Sequence, residues 1–443
     1  MSESLWRQRY ADALARAAVR ADAARVSGRL IACAFSSNVD RVGTLDDAMV
    51  ARLFGERLMP ADAPRVAAVN SVDDLLTGIA QCIAAGDGTD LVIRDPAVQE
   101  WLLERMPGRL QIGGTGVQAA STLTTLGFPT LVHLTGRSPE QIAALQTRDL
   151  MWLGTADGLI PIEAGENPDD ETMWHPALEF EAGLRAPLPG RPAAPAANRV
   201  LVGYDPVNAN LRVDPGFSVA MQDPALDIDV LLISGFTQLH EPVVRERVFA
   251  DTARALRQWR AARPDLFIHL ELGAMPDFRH VRQIVEALYP YVTSVGMNID
   301  ELRELLAVDG VVMAAPGPEL VAQMRALSAR FPTPRFSVHT REFCLTLTEH
   351  DPDQERDALV FGSLTAATRA RIAAFPRLAD LSATLAQGTI NEVGLALVAD
   401  LAGVPGVVVT PGIAFTGPTA TVGLGDSFTG GLLAMMKFAI APG

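Results

Sequence analysis

The segment TVGLGDSFTGG, residues 421–431, combines four glycines with a single carboxylate, Asp426, directly before an apolar run. Glycines at 423 and 425 let successive backbone N–H groups point into one space, and the start of a helix favours an anion. A carboxylate beside such a site can take a proton from a hydroxyl while the N–H groups stabilise a transferred phosphate. An aspartate that only caps a helix would give the same pattern.

Two further acidic motifs follow predicted strands. In HLE, residues 269–271, alternation along a strand puts His269 and Glu271 on one face. In NIDE, residues 298–301, Asn298 and Glu301 open a predicted helix. Mg²⁺ prefers such oxygen ligands and keeps several waters, but a polar strand end and a helix-capping box explain the motifs equally well. If the strands are parallel, these groups and Asp426 share one edge of the sheet.

Candidate sugar-binding groups occur earlier in the chain. Asn38 and Asp40 stand at the end of an apolar strand predicted over residues 28–42. In IGGTG, residues 112–116, glycines allow a backbone approach that side chains would block. Amide, carboxylate and backbone groups suit hydroxyl recognition, although turn capping and a tight turn explain each motif alone.

Composition restricts the function classes. The chain has 443 residues, enough for two domains, and a net charge of −15, which disfavours nucleic acid or an anionic membrane as partner. Lys437 is the only lysine, so a GxxxxGK[ST] phosphate loop is excluded. Backbone N–H groups, a metal ion and arginines must therefore hold any phosphate. Three distant cysteines, no apolar span and a charged N-terminus without a secretory pattern lead us to expect a cytoplasmic protein.

The order of elements favours an α/β fold. An amphipathic helix is expected at the N-terminus, packed against the body of the protein. From residue 227 onward, apolar strands alternate with helices, which is typical of a parallel sheet covered on both faces. Strands are predicted at 227–236, 265–273 and 291–298, and helices at 241–261, 277–290 and 299–307.

In this order the motifs resemble those of the ribokinase-like sugar kinases, and most closely the ADP-dependent glucokinase and phosphofructokinase family. SNVD, GGTGVQAASTLTTLG and TVGLGDSFTGGLL carry the wider resemblance, while HLE, NIDE and TVGLGD fit the family's HxE, NxxE and GxGD motifs. The resemblance implies a ribokinase-like doubly wound sheet, mostly parallel, with a smaller, mainly β lid domain. It assigns 1–40, 112–130 and 205–443 to the large nucleotide-binding domain, and 41–111 and 131–204 to the lid.

The resemblance also implies roles for individual residues. Asp426 would be the catalytic base, with an anion hole formed by Gly423, Leu424 and Gly425. Mg²⁺ would be positioned by Glu271 and Glu301, with Asn298 nearby. The sugar would contact Asn38, Asp40, Gly113, Gly114 and His175, and the nucleotide would contact Arg199, His339, Thr340 and Arg341.

The implied activity is Mg²⁺-dependent phosphoryl transfer from a nucleotide, with ADP as the expected donor, to glucose, fructose 6-phosphate or a related acceptor. The expected protein is a monomer or small homo-oligomer that binds no nucleic acid or membrane. Thr115–Gly116 after the glycine pair and SFTGG after Asp426 depart from the family pattern. They keep open an ATP-dependent ribokinase-type kinase of sugars or nucleosides, and a non-catalytic sugar or nucleotide sensor is the remaining alternative.

Overall fold

A computed structural model describes residues 2–66, 68–273, 278–415 and 422–436. The strands in these residues are β1 Leu30–Ala34, β2 Asn38–Thr44, β3 Thr89–Val92, β4 Arg109–Gly113, β5 Thr130–Val132, β6 Met151–Thr155, β7 Gly158–Pro161, β8 Trp174–Phe180, β9 Asn198–Gly203, β10 Ile228–Ile233, β11 Phe267–Glu271, β12 Ser294–Asn298, β13 Arg335–His339, β14 Phe343–Thr348, β15 Thr389–Ile390, β16 Val407–Pro411 and β17 Ile413–Ala414.

The helices are α1 Glu3–Ser27, α2 Asp47–Phe54, α3 Val72–Ala85, α4 Pro96–Arg105, α5 Thr115–Thr125, α6 Pro139–Ala144, α7 Pro215–Gln222, α8 Pro242–Ala262, α9 Phe278–Leu288, α10 Ile299–Ala307, α11 Pro318–Arg330, α12 Pro352–Ile372, α13 Leu378–Gln387, α14 Glu392–Asp400 and α15 Leu424–Met435. None of the helices in the described ranges has the length and apolar character needed to span a membrane.

A ten-stranded sheet forms the centre of the larger part of the molecule, in the order β16-β14-β13-β12-β11-β10-β1-β5-β6-β7. From β6 to β13 every pair is parallel, whereas β14 and β7 run antiparallel to their neighbours. Because the strands are parallel, β1, β11, β12 and β13 all end at the same edge. That edge is where α/β proteins place their ligands.

Helices cover both faces of this sheet. One face packs against α1, α5, α12 and α15, and the other against α7 to α11, each over its own apolar core. The predicted N-terminal helix is α1, which buries Trp6 and Tyr10 completely. The Tyr10 hydroxyl donates a hydrogen bond to the carbonyl oxygen of Pro411 at 2.6 Å, which ties α1 to the end of β16.

A second, five-stranded sheet has the order β3-β9-β8-β2-β4 and its own apolar core with α2, α3 and α4. Cys82 lies in this core, and Cys33 and Cys344 lie in the large sheet; all three are buried free thiols, as expected.

The strands differ from the sequence-based predictions at two places in the chain. The single strand predicted over 28–42 is wrong: the chain leaves the large sheet after Ala34, and Asn38 already begins β2 in the small sheet. The polar pair Ser36–Ser37 marks the crossing, but a continuous apolar run does not show where a chain changes its partner strands. Residues 130–161, assigned mostly to the lid, instead form β5, β6 and β7 of the large sheet.

Candidate active site

The N-terminus of α15 lies beside the carboxyl end of β13. Phe428 of α15 stacks on His339, with ring centroids 4.5 Å apart. Gly423 precedes the helix in the left-handed region, at φ 72°, where a side chain would be strained. The first N–H groups of a helix, here those of Leu424 and Gly425, have no partner within the helix and are available to an anion. Thr421, at the start of the glycine segment, lies outside the described residues.

Asp426 stands in the first turn of α15 and is partly exposed. Burial raises the pKa of its carboxyl group, the Thr115 side chain lowers it, and the neighbouring Glu271 carboxylate raises it again. Arg369 and Arg199 lower it in turn, so positive charge also lies close by. Asp426 is thus a partly desolvated carboxylate bordered by two guanidinium groups.

A buried chain of hydrogen bonds leads to Glu271. Arg335 Nη1 donates to Ser294 Oγ at 2.8 Å, which leaves the Ser294 hydroxyl to donate to His269 Nδ1, also at 2.8 Å. Burial, followed by the Arg335 charge, lowers the pKa of His269 well below its usual value, so the ring is neutral. Its single proton must then lie on Nε2, which donates to Glu271 Oε2 at 2.8 Å. The chain fixes both the tautomer of His269 and the orientation of Glu271.

Glu355 completes this chain at its far end. Its carboxylate accepts two hydrogen bonds from Arg335 Nε at 3.0 Å, and both side chains are fully buried. Arg335 Nη1 also donates to Ser337 Oγ at 2.9 Å, but Ser337 forms no recorded bond with His269. Because the buried arginine is paired, its charge is stabilised and it can hold Ser294 in place.

The capping box proposed for NIDE is present. The Asn298 side chain accepts from the backbone N–H of Glu301, and Glu301 Oε2 accepts from the backbone N–H of Asn298. Burial, followed by the charge of the nearby Glu271 carboxylate, raises the pKa of Glu301 to about 8. Glu301 therefore both caps α10 and lies close to a second buried acid.

The three acids predicted to share one edge do lie together. Glu301 interacts electrostatically with Glu271, and Glu271 with Asp426. Among the described residues, no group of three or more acidic, histidine or cysteine side chains encloses a metal ion by itself. Two neighbouring buried carboxylates with raised pKa values nevertheless fit a cation that keeps several of its waters, as Mg²⁺ does.

The small sheet brings the predicted sugar-binding residues to the same place. Asn38 Nδ2 donates to Asp40 Oδ1 at 2.6 Å, and Gly113 on β4 pairs with Asn38. A Cβ atom at Gly113 would collide with the side chains of both Asn38 and Asp40. Burial raises the pKa of Asp40 to about 6, and the Asp426 charge acts in the same direction. Asp40 and Asp426 therefore lie near each other, although Asp40 is on the small sheet and Asp426 is on α15, which packs on the large sheet.

His175 lies opposite Asp40 in the small sheet, on the neighbouring strand β8. Its Nε2 is 2.8 Å from Asp205 Oδ2. Burial alone would lower the pKa of His175, but Asp205, Asp40 and Asp90 together raise it above its usual value. This wall of the site is thus built from carboxylates around one imidazolium.

The four predicted nucleotide-binding residues do not all lie at the same place in the structure. Arg199 on β9 acts electrostatically on Asp40, Asp90 and Asp426, and so lies at the site. His339 Nδ1 is 3.8 Å from Glu271 Oε1, beneath α15. Thr340 closes the turn between β13 and β14 by bonding to Phe343, and Arg341 is exposed on that turn. An adenine contact for these three residues stays a prediction.

Several site residues escaped the sequence analysis. They are Thr115, Gln118, Arg369, Gln111 and Asp205. Gln111 and Thr115 had a local signal, because Gln111 alternates with Gly113 on β4 and faces Asp40 across the strand pair, and Thr115 lies in the IGGTG segment. The others come from helices and loops that only the tertiary fold brings close.

Comparisons with known proteins agree with this geometry. The family model for the ADP-specific phosphofructokinase/glucokinase conserved region matches residues 29–435. The ADP-dependent glucose/glucosamine kinase of Pyrococcus abyssi is 25% identical over 393 residues, covering 85% of this chain and 84% of its own length. The ADP-specific phosphofructokinase of the same organism is 22% identical over 298 residues, covering 62% and 64%.

Solved structures show the same fold. An ADP-dependent kinase in complex with fructose 6-phosphate and ADPβS superposes with a TM-score of 0.81 at 18% identity, over 98% of both chains. The last common ancestor of ADP-dependent phosphofructokinases from Methanosarcinales gives a TM-score of 0.78 at 19% identity, also over 98% of both chains. The predicted α/β fold with a mostly parallel, doubly wound sheet and the predicted ADP-dependent family are both confirmed. Since the family model spans most of its length, this chain belongs to the ADP-specific phosphofructokinase/glucokinase family of carbohydrate kinases.

Proposed function

We propose that this protein transfers the terminal phosphoryl group of ADP to a hydroxyl group of a hexose, releasing AMP. The proposal depends mainly on one observation: Asp426 lies at the N-terminus of α15, close to Glu271 of the large sheet and to Asp40 of the small sheet. A phosphate at the helix terminus and a sugar beside Asp40 would then meet at the Asp426 carboxylate.

In the proposed reaction, Asp426 accepts the proton of the attacking hydroxyl as its oxygen bonds to phosphorus and the bond to AMP breaks. The N–H groups of Leu424 and Gly425 and the Arg199 guanidinium stabilise the charge on the phosphoryl oxygens, the main requirement of such a transfer. Glu271 and Glu301, with Asn298 beside them, would hold Mg²⁺ through water, and the ion would neutralise the phosphate charge.

The charges around the acceptor position favour a neutral hexose or an amino sugar over a sugar phosphate. Burial raises the pKa values of both Asp40 and Asp90, although His175 and Arg199 act on both in the opposite direction. A dianionic phosphate placed there would meet these carboxylates at a high electrostatic cost. Sugar hydroxyl groups instead donate hydrogen bonds to carboxylates such as Asp40.

The test is an assay of AMP or ADP release with Mg²⁺, combining ADP or ATP with glucose, glucosamine, fructose 6-phosphate and a nucleoside. We expect AMP formation from ADP, with glucose or glucosamine as the better acceptor. Turnover with ATP only, or with a nucleoside only, would favour a ribokinase-type kinase. Binding of ADP and sugar without any product would instead support a sensor.

A further inference from the structure

Arg369, on the last turn of α12, has a buried guanidinium group in which two of the three nitrogens lack a hydrogen-bond partner among the described residues. Only 2% of the residue is exposed, and Nε and Nη1 donate no hydrogen bond to any described residue. The ring of Phe375 lies 4.1 Å from the guanidinium carbon. An aromatic face attracts a cation but does not satisfy its N–H groups.

The guanidinium is directed towards the turn that begins α15. Nη2 is 3.5 Å from the position that a Cβ atom on Gly423 would take. The side-chain oxygen of Gln118, which also has no hydrogen-bond partner among the described residues, lies against the same glycine. Arg369 and Asp426 also interact electrostatically, so the guanidinium faces the predicted anion site.

An unsatisfied buried charge destabilises a folded protein, and such charges are normally paired or bound to a ligand. Burial accordingly lowers the pKa of Arg369 to about 10. By contrast, Arg335 on β13, which is equally buried, is paired with Glu355. Asp426 acts on Arg369 only through its charge, so the described residues give Nε and Nη1 of Arg369 no hydrogen-bonded anionic partner.

Phosphate chemistry provides such a partner. A guanidinium group binds phosphate oxygens through two parallel N–H···O bonds, and the free N–H groups of a helix terminus bind the same anion. In a chain whose only lysine is Lys437, outside the described residues, arginine must supply the side-chain positive charge near the phosphates.

We propose that Arg369 is a phosphate-binding residue, whose guanidinium group contacts the terminal phosphate of the nucleotide at the N-terminus of α15. The inference rests on the proposed function, since it takes ADP as the donor. Arg199 of the small sheet and Arg369 of α12, which covers the large sheet, would then hold the same phosphate from two sides. Such a contact requires the β-phosphate, and so AMP cannot make it.

The test compares Arg369→Met with Arg371→Met, using titration calorimetry with ADP and with AMP. Arg371 lies on the same helix, but its Nε donates to Thr384 Oγ1 at 2.9 Å, on α13. We expect Arg369→Met to weaken ADP binding by about tenfold or more, as the loss of one charge-assisted hydrogen bond implies. AMP binding should stay within about twofold of the wild type, Arg369→Lys should restore part of the ADP affinity, and Arg371→Met should bind both nucleotides normally.

Thermal unfolding without ligand distinguishes this role from a structural one. Removal of an unpaired buried charge should leave the melting temperature of Arg369→Met unchanged or raise it. A large drop in melting temperature together with equal losses of ADP and AMP affinity would overturn the proposal, and so would unchanged ADP affinity. Unchanged ADP affinity with a selective loss of fructose 6-phosphate turnover would assign Arg369 to an acceptor phosphate instead. If the wild type itself binds no ADP, the proposed function fails, not this inference alone.

Discussion

A carboxylate that takes a proton from a sugar hydroxyl must be ionised and yet shielded from bulk water. Asp426 is shielded, because burial raises its pKa and Glu271 acts in the same direction, while Thr115, Arg369 and Arg199 lower its pKa and so favour the ionised form. Its position in the first turn of α15 adds the favourable field of the helix terminus. We therefore expect the carboxylate to be ionised when phosphate and metal ion are bound.

Asp426→Asn should fold and bind ADP but lose turnover by about 10²–10⁴-fold, the usual contribution of a general base. The amide keeps the size of the side chain and cannot accept the proton. Steady-state rates and ADP calorimetry on the same preparation would test this. Retained activity would remove Asp426 from the role of base.

Ser294 and Ser337 form a matched pair for testing the hydrogen-bond chain to Glu271. Both are buried and bond to Arg335, but only Ser294 reaches His269. Ser294→Ala should remove the hydroxyl that fixes the His269 tautomer and raise the Mg²⁺ concentration needed for half-maximal activity by about tenfold or more. Ser337→Ala should change neither the His269 tautomer nor the Mg²⁺ concentration needed for half-maximal activity.

The Ser294 and Ser337 variants can also be compared without a metal ion, through the ¹⁵N NMR spectrum of the His269 ring. The wild type and Ser337→Ala should show a proton on Nε2, and Ser294→Ala should show a mixture of tautomers. Identical spectra for all three proteins would contradict the assigned tautomer and the role of Ser294.

Glu301 should make stability depend on pH in metal-free buffer. Its pKa rises from 4.5 to about 8 on folding, so in this range the folded chain retains a proton that the unfolded chain releases. The folded state binds more protons, and the free energy of unfolding therefore falls as pH rises through this window. The melting temperature should therefore decline with rising pH, and Glu301→Gln should make this decline less steep. Asp300→Asn, a substitution of the exposed neighbouring residue, should not. Equal slopes in the wild type and Glu301→Gln would refute the raised pKa.

Residue types and spacing indicated the acids of the site, since HLE, NIDE and GLGD are short and local. Arg369 could not be found this way. A buried arginine near the end of a helix looks like any other arginine in the sequence, and its unpaired state depends on residues about 50 positions further along, at the start of α15. Asp205 was missed for the same reason, because its partner His175 lies on another strand.

At the scale of elements, α15 is held in place by two other helices through glycines. A Cβ atom at Gly431 would lie 2.6 Å from Thr365 Oγ1 of α12, and one at Gly430 would lie 2.9 Å from the carbonyl oxygen of Ala119 on α5. The small residues that the sequence places in SFTGG therefore let three helices pack closely. Asp426 stands one turn earlier, so this packing sets its position.

Gly431→Ala should force α15 away from α12 and destabilise the protein by about 1–3 kcal/mol, as overpacking does. It should also lower the turnover number, because Asp426 moves with the helix. Gly78→Ala on α3 is the matched control, since its added methyl group meets only the tip of Leu91, which can rotate. Urea unfolding and steady-state assays would measure both effects, and normal activity in a destabilised Gly431→Ala would separate packing from the site.

The alternation of strands and helices from residue 227 onward was predictable, because buried parallel strands and amphipathic helices have distinct periodicities. The change of sheet between Ala34 and Asn38 was not. Both strands there are buried, so burial alone does not tell one partner sheet from the other.

At the scale of the whole molecule, the site is shared by two sheets with separate apolar cores. Asp426 on α15 and Glu271 on β11 belong to the part of the molecule built on the large sheet, and Asp40 and Arg199 belong to the small sheet. Two parts of a protein that each bind one of the substrates can close around both substrates and exclude water. This exclusion suppresses hydrolysis of the nucleotide. The small sheet would be the lid expected from the sequence.

Addition of ADP, Mg²⁺ and glucose to Asp426→Asn should therefore reduce the radius of gyration in small-angle X-ray scattering. The variant is suited to this measurement because it should hold both substrates without consuming them. Either substrate alone should give a smaller change. An unchanged radius with both substrates bound would show that the two sheets do not close.

The short crossing between the sheets has a geometric consequence for any such closure. Ser37 is fixed there by a hydrogen bond from Gln141 Nε2 at 2.6 Å, and its carbonyl oxygen accepts from Asn208 Nδ2 at 3.0 Å. If the small sheet rotates about this point, Asn38, the next residue, moves only a short distance. Arg199 lies two strands away from Asn38 in the small sheet and moves farther. The sugar would thus bind to a surface that changes little on closure. The rotation of the small sheet would then bring Arg199 to the phosphate.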